Sequence, residues 1–174
     1  LIRLKAYTGR RNAELFAMRW NMIHFEGGKP VFIQSPNIKI KRQQNNFDEK
    51  DFQFAFVPVA EELSELLDEL GLQMNIGSSD YIIAPGVLQN RKYLEDFASK
   101  SFTFFFKRLK RDYNRQLKHF RKTYITQEDL FVNGRISMQH ANYGVTAKHY
   151  IDRKEIAKEM AKQGFRVFPK QGVE

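Results

Sequence analysis

Between residues 30 and 57 the spacing of apolar residues changes, and that change limits the chain to a mostly helical fold with one small sheet. The segments "PVFIQ", "IKIKRQ" and "FQFAFVPV" alternate apolar with polar or basic residues, which is the period of a half-buried strand. Gly27-Gly28 and the Asn45-Asn46 region supply turns, so two or three antiparallel strands are expected. On either side the spacing is helical. Asn12 can cap a short helix carrying Leu15, Phe16, Met18 and Trp20, with Glu14 in the first turn, where the helix dipole favours an anion. Arg11 then stands at the mouth of that helix. Val59, Leu63, Leu66, Leu67 and Leu70 follow at helical spacing and stop at Gly71, a glycine C-cap.

A longer helix is expected from about Tyr93 to Tyr113, with Leu94, Phe97, Phe105, Phe106 and Leu109 on one face. Its run "FTFFFKRLK" could stack on bases, but phenylalanines at this density more often form core, and core is the expectation. Another helix spans roughly Gln116 to Val132, with Leu117, Phe120, Tyr124 and Phe131 inward and Asn133-Gly134 ending it. Lys118 and Arg121, three residues apart, share one face of it. The opening "LIRLKAY" reads as the end of an apolar helix or strand. The fold class that follows is mainly α with a small antiparallel β-sheet, α+β, in one domain over residues 1–174.

Charge narrows the partner. With 29 Lys+Arg against 20 Asp+Glu the chain carries a formal net charge of +9, and nucleic acid is the commonest polyanion for a basic folded domain. No apolar run approaches the roughly 20 residues of a membrane span, and the first residues lack a signal pattern, so a cytoplasmic protein is expected. The absence of cysteine excludes disulfides and thiolate metal sites, and His24, His119, His140 and His149 lack zinc spacing. Neither metal nor other cofactor is expected.

A basic, metal-free chain can still attack a phosphodiester. The five-coordinate phosphorus of that reaction carries negative charge on its nonbridging oxygens, and fixed guanidinium groups can meet them with paired hydrogen bonds. A tyrosine phenol, ordinarily near pKa 10, can be the nucleophile if neighbouring positive charge eases its deprotonation. A lysine ammonium can protonate the departing sugar oxygen. Tyr150, Arg11, Lys39 or Lys41, Lys118, Arg121 and His140 form such a set in this chain, although spacing alone does not select them from 29 basic residues.

Three sequence blocks do. "YTGRRNAELFAMRWNMI" resembles the first arginine box of the tyrosine recombinase (phage integrase) family, with Thr8, Gly9, Arg11, Glu14, Leu15 and Trp20 as the matches. "LKHFRKTYIT" resembles the second box through Lys118, Arg121 and Thr123, and "QHANYGVTAKHYID" the third through His140, Thr146 and Tyr150. The wording is closest to integrases of mobile elements in Bacteroidetes-type bacteria. The boxes span residues 7 to 152 in the family's order.

The resemblance implies a recombinase catalytic-domain fold and a site-specific DNA recombinase. Arg11 and Arg121 would clamp the scissile phosphate, supported by His140 and Lys118. Tyr150 would form a 3′-phosphotyrosyl link, and a hairpin lysine would protonate the 5′-oxygen, without metal or ATP. "KIK" selects Lys39 for that role, with Lys41 on the same strand face. The implied partners are double-stranded DNA and further protomers in a tetrameric synapse. The family's upstream DNA-clamping domain has no counterpart in these residues.

The chain departs from the family pattern at Arg10, usually apolar, at Lys118, commonly histidine, at Gln139, normally glycine, and in the ten-residue step from His140 to Tyr150. Tyr143 is the competing nucleophile. The tail, with Ile156, Met160 and "GFRVF", resembles the segment that family members lay on a neighbouring protomer, the alternative being a helix folded back on its own domain. The same fold without catalysis, a basic DNA-binding module, is the alternative function.

Overall fold

The computed structural model describes residues 1–38, 54–109, 116–136 (backbone only from 132) and 153–168. The sheet has the order β1-β2-β3, formed by Ile23–Glu26, Lys29–Pro36 and Phe54–Pro58, with both pairings antiparallel. Gly27 and Gly28, at φ 56° and 78°, make the β1–β2 turn that a side chain would strain. Ile33 pairs with both Ile23 and Val57, and these three sit in the main core. Phe32 and Phe56 form a second cluster with Ala157. Neighbouring residues of β2 thus serve different clusters, although Val31 joins Phe32 in the second rather than following Ile33.

Helices α1 (Ile2–Thr8), α2 (Asn12–Phe16) and α3 (Glu61–Glu69) close over the sheet, and the short α4 (Leu72–Asn75) follows. Leu4, Leu15, Met18, Trp20, Leu63, Leu67 and Leu72 are buried there, each stabilising the fold by about 1.5–3 kcal/mol relative to an exposed position. Gly71, at φ 96°, ends α3 where the spacing predicted. The opening segment is helical rather than extended.

Three expectations about element bounds need correction, and a fourth falls on residues that are not described. The sheet's first strand is Ile23–Glu26, upstream of the 30–57 window, because four residues are too few for alternation to be visible. The "IKIKRQ" strand lies outside the described residues from position 39. The helix opened at Arg11 stops at Phe16, leaving Met18 in the connection and Trp20 in a single 3-10 turn. Helix α6, Lys118–Ile136, continues through Asn133-Gly134, since a glycine costs a helix only about 1 kcal/mol.

Helix α5 covers Arg91–Arg108, within two residues of its expected start and five short of its expected end. It is not the core element that its phenylalanines suggested. Phe102 is buried and Leu94 and Phe106 are half-buried, but Phe97, Phe104, Phe105 and Leu109 are exposed. The helix meets α2, its Phe102 ring lies edge-on to Phe120 of α6, and Phe105 lines an open groove with Leu1, Ile2, Leu66 and Leu70.

The segment before α5 has little regular structure, and one side chain fixes it. The Arg91 guanidinium donates to the carbonyl oxygens of Phe16 (2.8 Å), Ile83 (2.6 Å), Ala84 (3.3 Å) and Val87 (2.7 Å). It also stacks 3.5 Å above the centre of the Tyr81 ring, which carries Arg19 as a second cation at 4.1 Å. Helix α7, Arg153–Lys162, packs on β2 and β3 of its own chain, and after Gly164 the chain returns Phe165 and Val167 to a cluster with Tyr124 and Met160. Within this single chain the tail therefore folds back on its own domain.

Candidate phosphate-binding site

The turn between α1 and α2 is built to present one arginine inward and one outward. The Thr8 hydroxyl donates to the Leu4 carbonyl at 2.7 Å, and the Gly9 amide closes α1 on the Lys5 carbonyl at 3.0 Å. Gly9 adopts φ 60°, and a Cβ there would lie 2.3 Å from Cδ1 of Tyr124, so glycine is required both by conformation and by space. The chain then sends Arg10 into the interior, 7% exposed, and leaves Arg11 at the N-cap of α2.

Glu14 holds both. Its carboxylate is fully buried, accepts hydrogen bonds from Arg11 Nη1 at 3.0 Å and the Arg11 amide at 2.9 Å, and forms an ion pair with Arg10 Nη2 at 2.8 Å whose geometry is not that of a hydrogen bond. A buried carboxylate requires such partners, and the acid in the first turn of α2 also meets the positive end of the helix. Whether Arg10 or Arg11 points inward is thereby answered for this turn: Arg10 faces the core and Arg11 the solvent-accessible side.

Helix α6 brings the second arginine. Arg121 Nη1 donates to the Gly9 carbonyl at 2.8 Å across 112 positions of sequence. Burial first, and then the neighbouring Arg11 charge, hold its guanidinium below the ordinary arginine value. Lys118, one turn earlier, is exposed on the same side. Arg11, Lys118 and Arg121 line one cleft of about 340 Å³, together with Lys5, Asn12, Glu95, Ser99, Thr103 and Gln116. Asn12 Nδ2 donates to Ser99 Oγ at 2.7 Å, so α2 and α5 are joined at the cleft wall. At the start of the helix that carries Lys118, His119 Nδ1 accepts the Gln116 amide at 3.1 Å.

A second pocket of about 390 Å³ lies on the other side of Arg121, bounded by Arg10, Tyr124, Glu128, β3 and α7. Burial pushes the Tyr124 phenol well up, and burial likewise raises the Glu128 carboxyl. Burial lowers Arg10 despite the attraction of Glu14.

Two residues of this region were passed over by the sequence reading. Arg10 counted only as a departure from the apolar residue expected there. Lys5 is 2% exposed, and the visible signal was a lone lysine within the apolar "LIRLKAY". His140, Tyr150, Lys39, and with them Lys41 and Tyr143, lie outside the described residues.

A cleft carrying two guanidiniums and two ammoniums, with Glu95 as the acid in its wall, suits an oxyanion such as a phosphate. Among the described residues no three His, Asp or Glu side chains gather closely enough to hold a metal ion, and no helix is long and apolar enough to cross a membrane. No protein-family model, curated protein or solved structure matches the chain.

Proposed function

We propose that the chain is the catalytic domain of a tyrosine-type site-specific DNA recombinase, with the fold of that family and the role of a mobile-element integrase. The observation that supports this reading is the meeting of Arg11, Lys118 and Arg121 in one cleft, although more than a hundred residues of sequence separate the first from the others. A basic chain of net charge +9 adds the general attraction to DNA.

In this reading a DNA phosphodiester lies in the cleft with its nonbridging oxygens on the Arg11 and Arg121 guanidiniums, supported by Lys118 and His140. The Tyr150 phenol oxygen attacks phosphorus and loses its proton. The bond from phosphorus to the 5′-oxygen breaks, and that oxygen takes a proton from Lys39. The 3′-phosphotyrosyl link keeps the bond energy for rejoining, so neither metal nor ATP is consumed. Recombination then needs double-stranded DNA and further protomers, in a tetrameric synapse, in the bacterial cytoplasm at the nucleoid.

The test offers the full-length protein a nicked suicide duplex carrying its element's end and looks for a protein–DNA band that survives SDS. The band is expected to vanish in Tyr150→Phe and persist in Tyr143→Phe. Arg121→Lys should slow its formation about 10²-fold or more, because an ammonium cannot hold two phosphate oxygens as a guanidinium does. Absence of the band from the unaltered protein while the duplex is bound would remove the catalytic reading.

A further inference from the structure

Lys5 occupies a position on α1 between buried Leu4 and buried Ala6, where an apolar residue would serve the fold. Its ammonium donates to the Arg10 carbonyl at 2.9 Å. That carbonyl immediately precedes Arg11, and the one before it, on Gly9, is held by Arg121. Two cations from different helices therefore grip successive carbonyls of the turn from which Arg11 projects. Lys5 also lines the cleft that Arg11, Lys118 and Arg121 share.

A neutral carbonyl does not offset the cost of taking an ammonium out of water. The nearby carboxylates are already engaged: Glu14 by Arg10 and Arg11, and Glu95 by Lys92 at 3.5 Å. Arg10, Arg11, Lys118 and Arg121 are cations, and the other acids of this region, Glu128 and Asp129, line the separate pocket on the far side of Arg121. Burial, and next the Arg121 charge, bring the Lys5 amine down to about 8. The cleft thus gathers Lys5, Arg11, Lys118 and Arg121 against Glu95 in its own lining, and an entering oxyanion supplies the missing charge.

We propose that Lys5 is a positioning residue of the phosphate cleft: it sets the Arg11 turn, and an oxyanion bound beside it holds its amine protonated, so binding takes up a proton in mildly alkaline solution. This rests on reading the cleft as a phosphate site. The sign follows directly. Below the amine's folded value the charged form is already present and binding is unaffected by pH, whereas above it the anion must bring a proton with it and affinity falls as pH rises.

Inorganic sulfate, which does not titrate in this range, is the probe, used with the 174-residue chain in calorimetric titrations at about pH 9 in two buffers of different ionisation enthalpy. The unaltered chain should take up a proton, approaching one per sulfate bound, and lose affinity up to tenfold per pH unit above 8. Lys5→Met, apolar and of similar length, should bind sulfate about tenfold or more weakly at neutral pH and take up no proton. Lys5→Arg should recover the neutral-pH affinity but not the proton uptake, because a guanidinium does not titrate there. A control on folding comes from the free protein: the unaltered chain should gain stability as pH rises from about 8 to 10.5, and Lys5→Met should not.

Equal affinity and equal proton uptake in Lys5→Met and the unaltered chain would overturn the proposal, as would failure of the unaltered chain to bind sulfate. Either result can coexist with a Tyr150-dependent adduct, which would leave the recombinase reading standing. Lys5-dependent proton uptake without any adduct would do the reverse.

Discussion

Helix α5 shows Phe97, Phe104 and Phe105 to solvent, while α1 and the turn after it hide two cations, Lys5 and Arg10. Phe97 is 58% and Phe104 62% exposed, against 2% for Lys5. Residue type alone would have arranged them the other way round. The difference lies in what each element meets. Around the turn, every buried charge finds a named partner: Lys5 the Arg10 carbonyl, Arg10 the Glu14 carboxylate, Arg121 the Gly9 carbonyl. On the exposed side of α5 rings contact one another, as Tyr93 does Phe97 at 6.1 Å between ring centres. Burial in this chain follows from where elements converge, and convergence is a property of the fold.

The contrast can be tested by substitution on both sides. Gly9→Ala should have the largest effect, because the added methyl meets the Tyr124 ring at 2.3 Å and the backbone is left-handed. A loss of about 3 kcal/mol or more is expected in urea unfolding, and a loss under 1 kcal/mol would mean that the turn and α6 can move apart. Arg91→Met should rank second, since it strands four carbonyl groups of which several are part-buried. Roughly 2–4 kcal/mol is expected, and proteolysis should then begin in residues 82–88. The smallest effect belongs to α5: Phe97→Ser and Phe104→Ser should each change stability by less than about 0.5 kcal/mol. A cost above 2 kcal/mol for either would show that this side of the helix is covered in solution and would cancel half of the comparison.

Much of the architecture could be read from spacing. The existence of β2 and β3, the apolar stripe of α3 ending at Gly71, and the burial of Leu117 and Tyr124 needed only local pattern. Glu14 at the start of α2 was legible for the same reason, since dipole and cap act within one turn. What escaped depends on distant residues. Whether Phe104 is covered depends on elements remote in sequence, and Lys5 is buried because α6 and the Arg10 carbonyl close over it from elsewhere. For the site, two sequence blocks nominated Arg11, Lys118 and Arg121, and the fold brings these three to one cleft. Local pattern could never have placed them there, because the contact between Arg121 and Gly9 spans 112 positions.

Arg91 separates where a loop's shape is written from where the loop lies. It grips residues 83–87 by their carbonyl oxygens, and every residue has one, whatever its side chain. Substitutions within that loop can therefore accumulate with little effect on its path, while the information that sets the path is concentrated in a single codon downstream. A designer wishing to graft a new loop onto this scaffold should keep Arg91, Tyr81 and the core residues Ile82 and Ile83, and treat the exposed side chains of Val87, Leu88 and Gln89 as open positions.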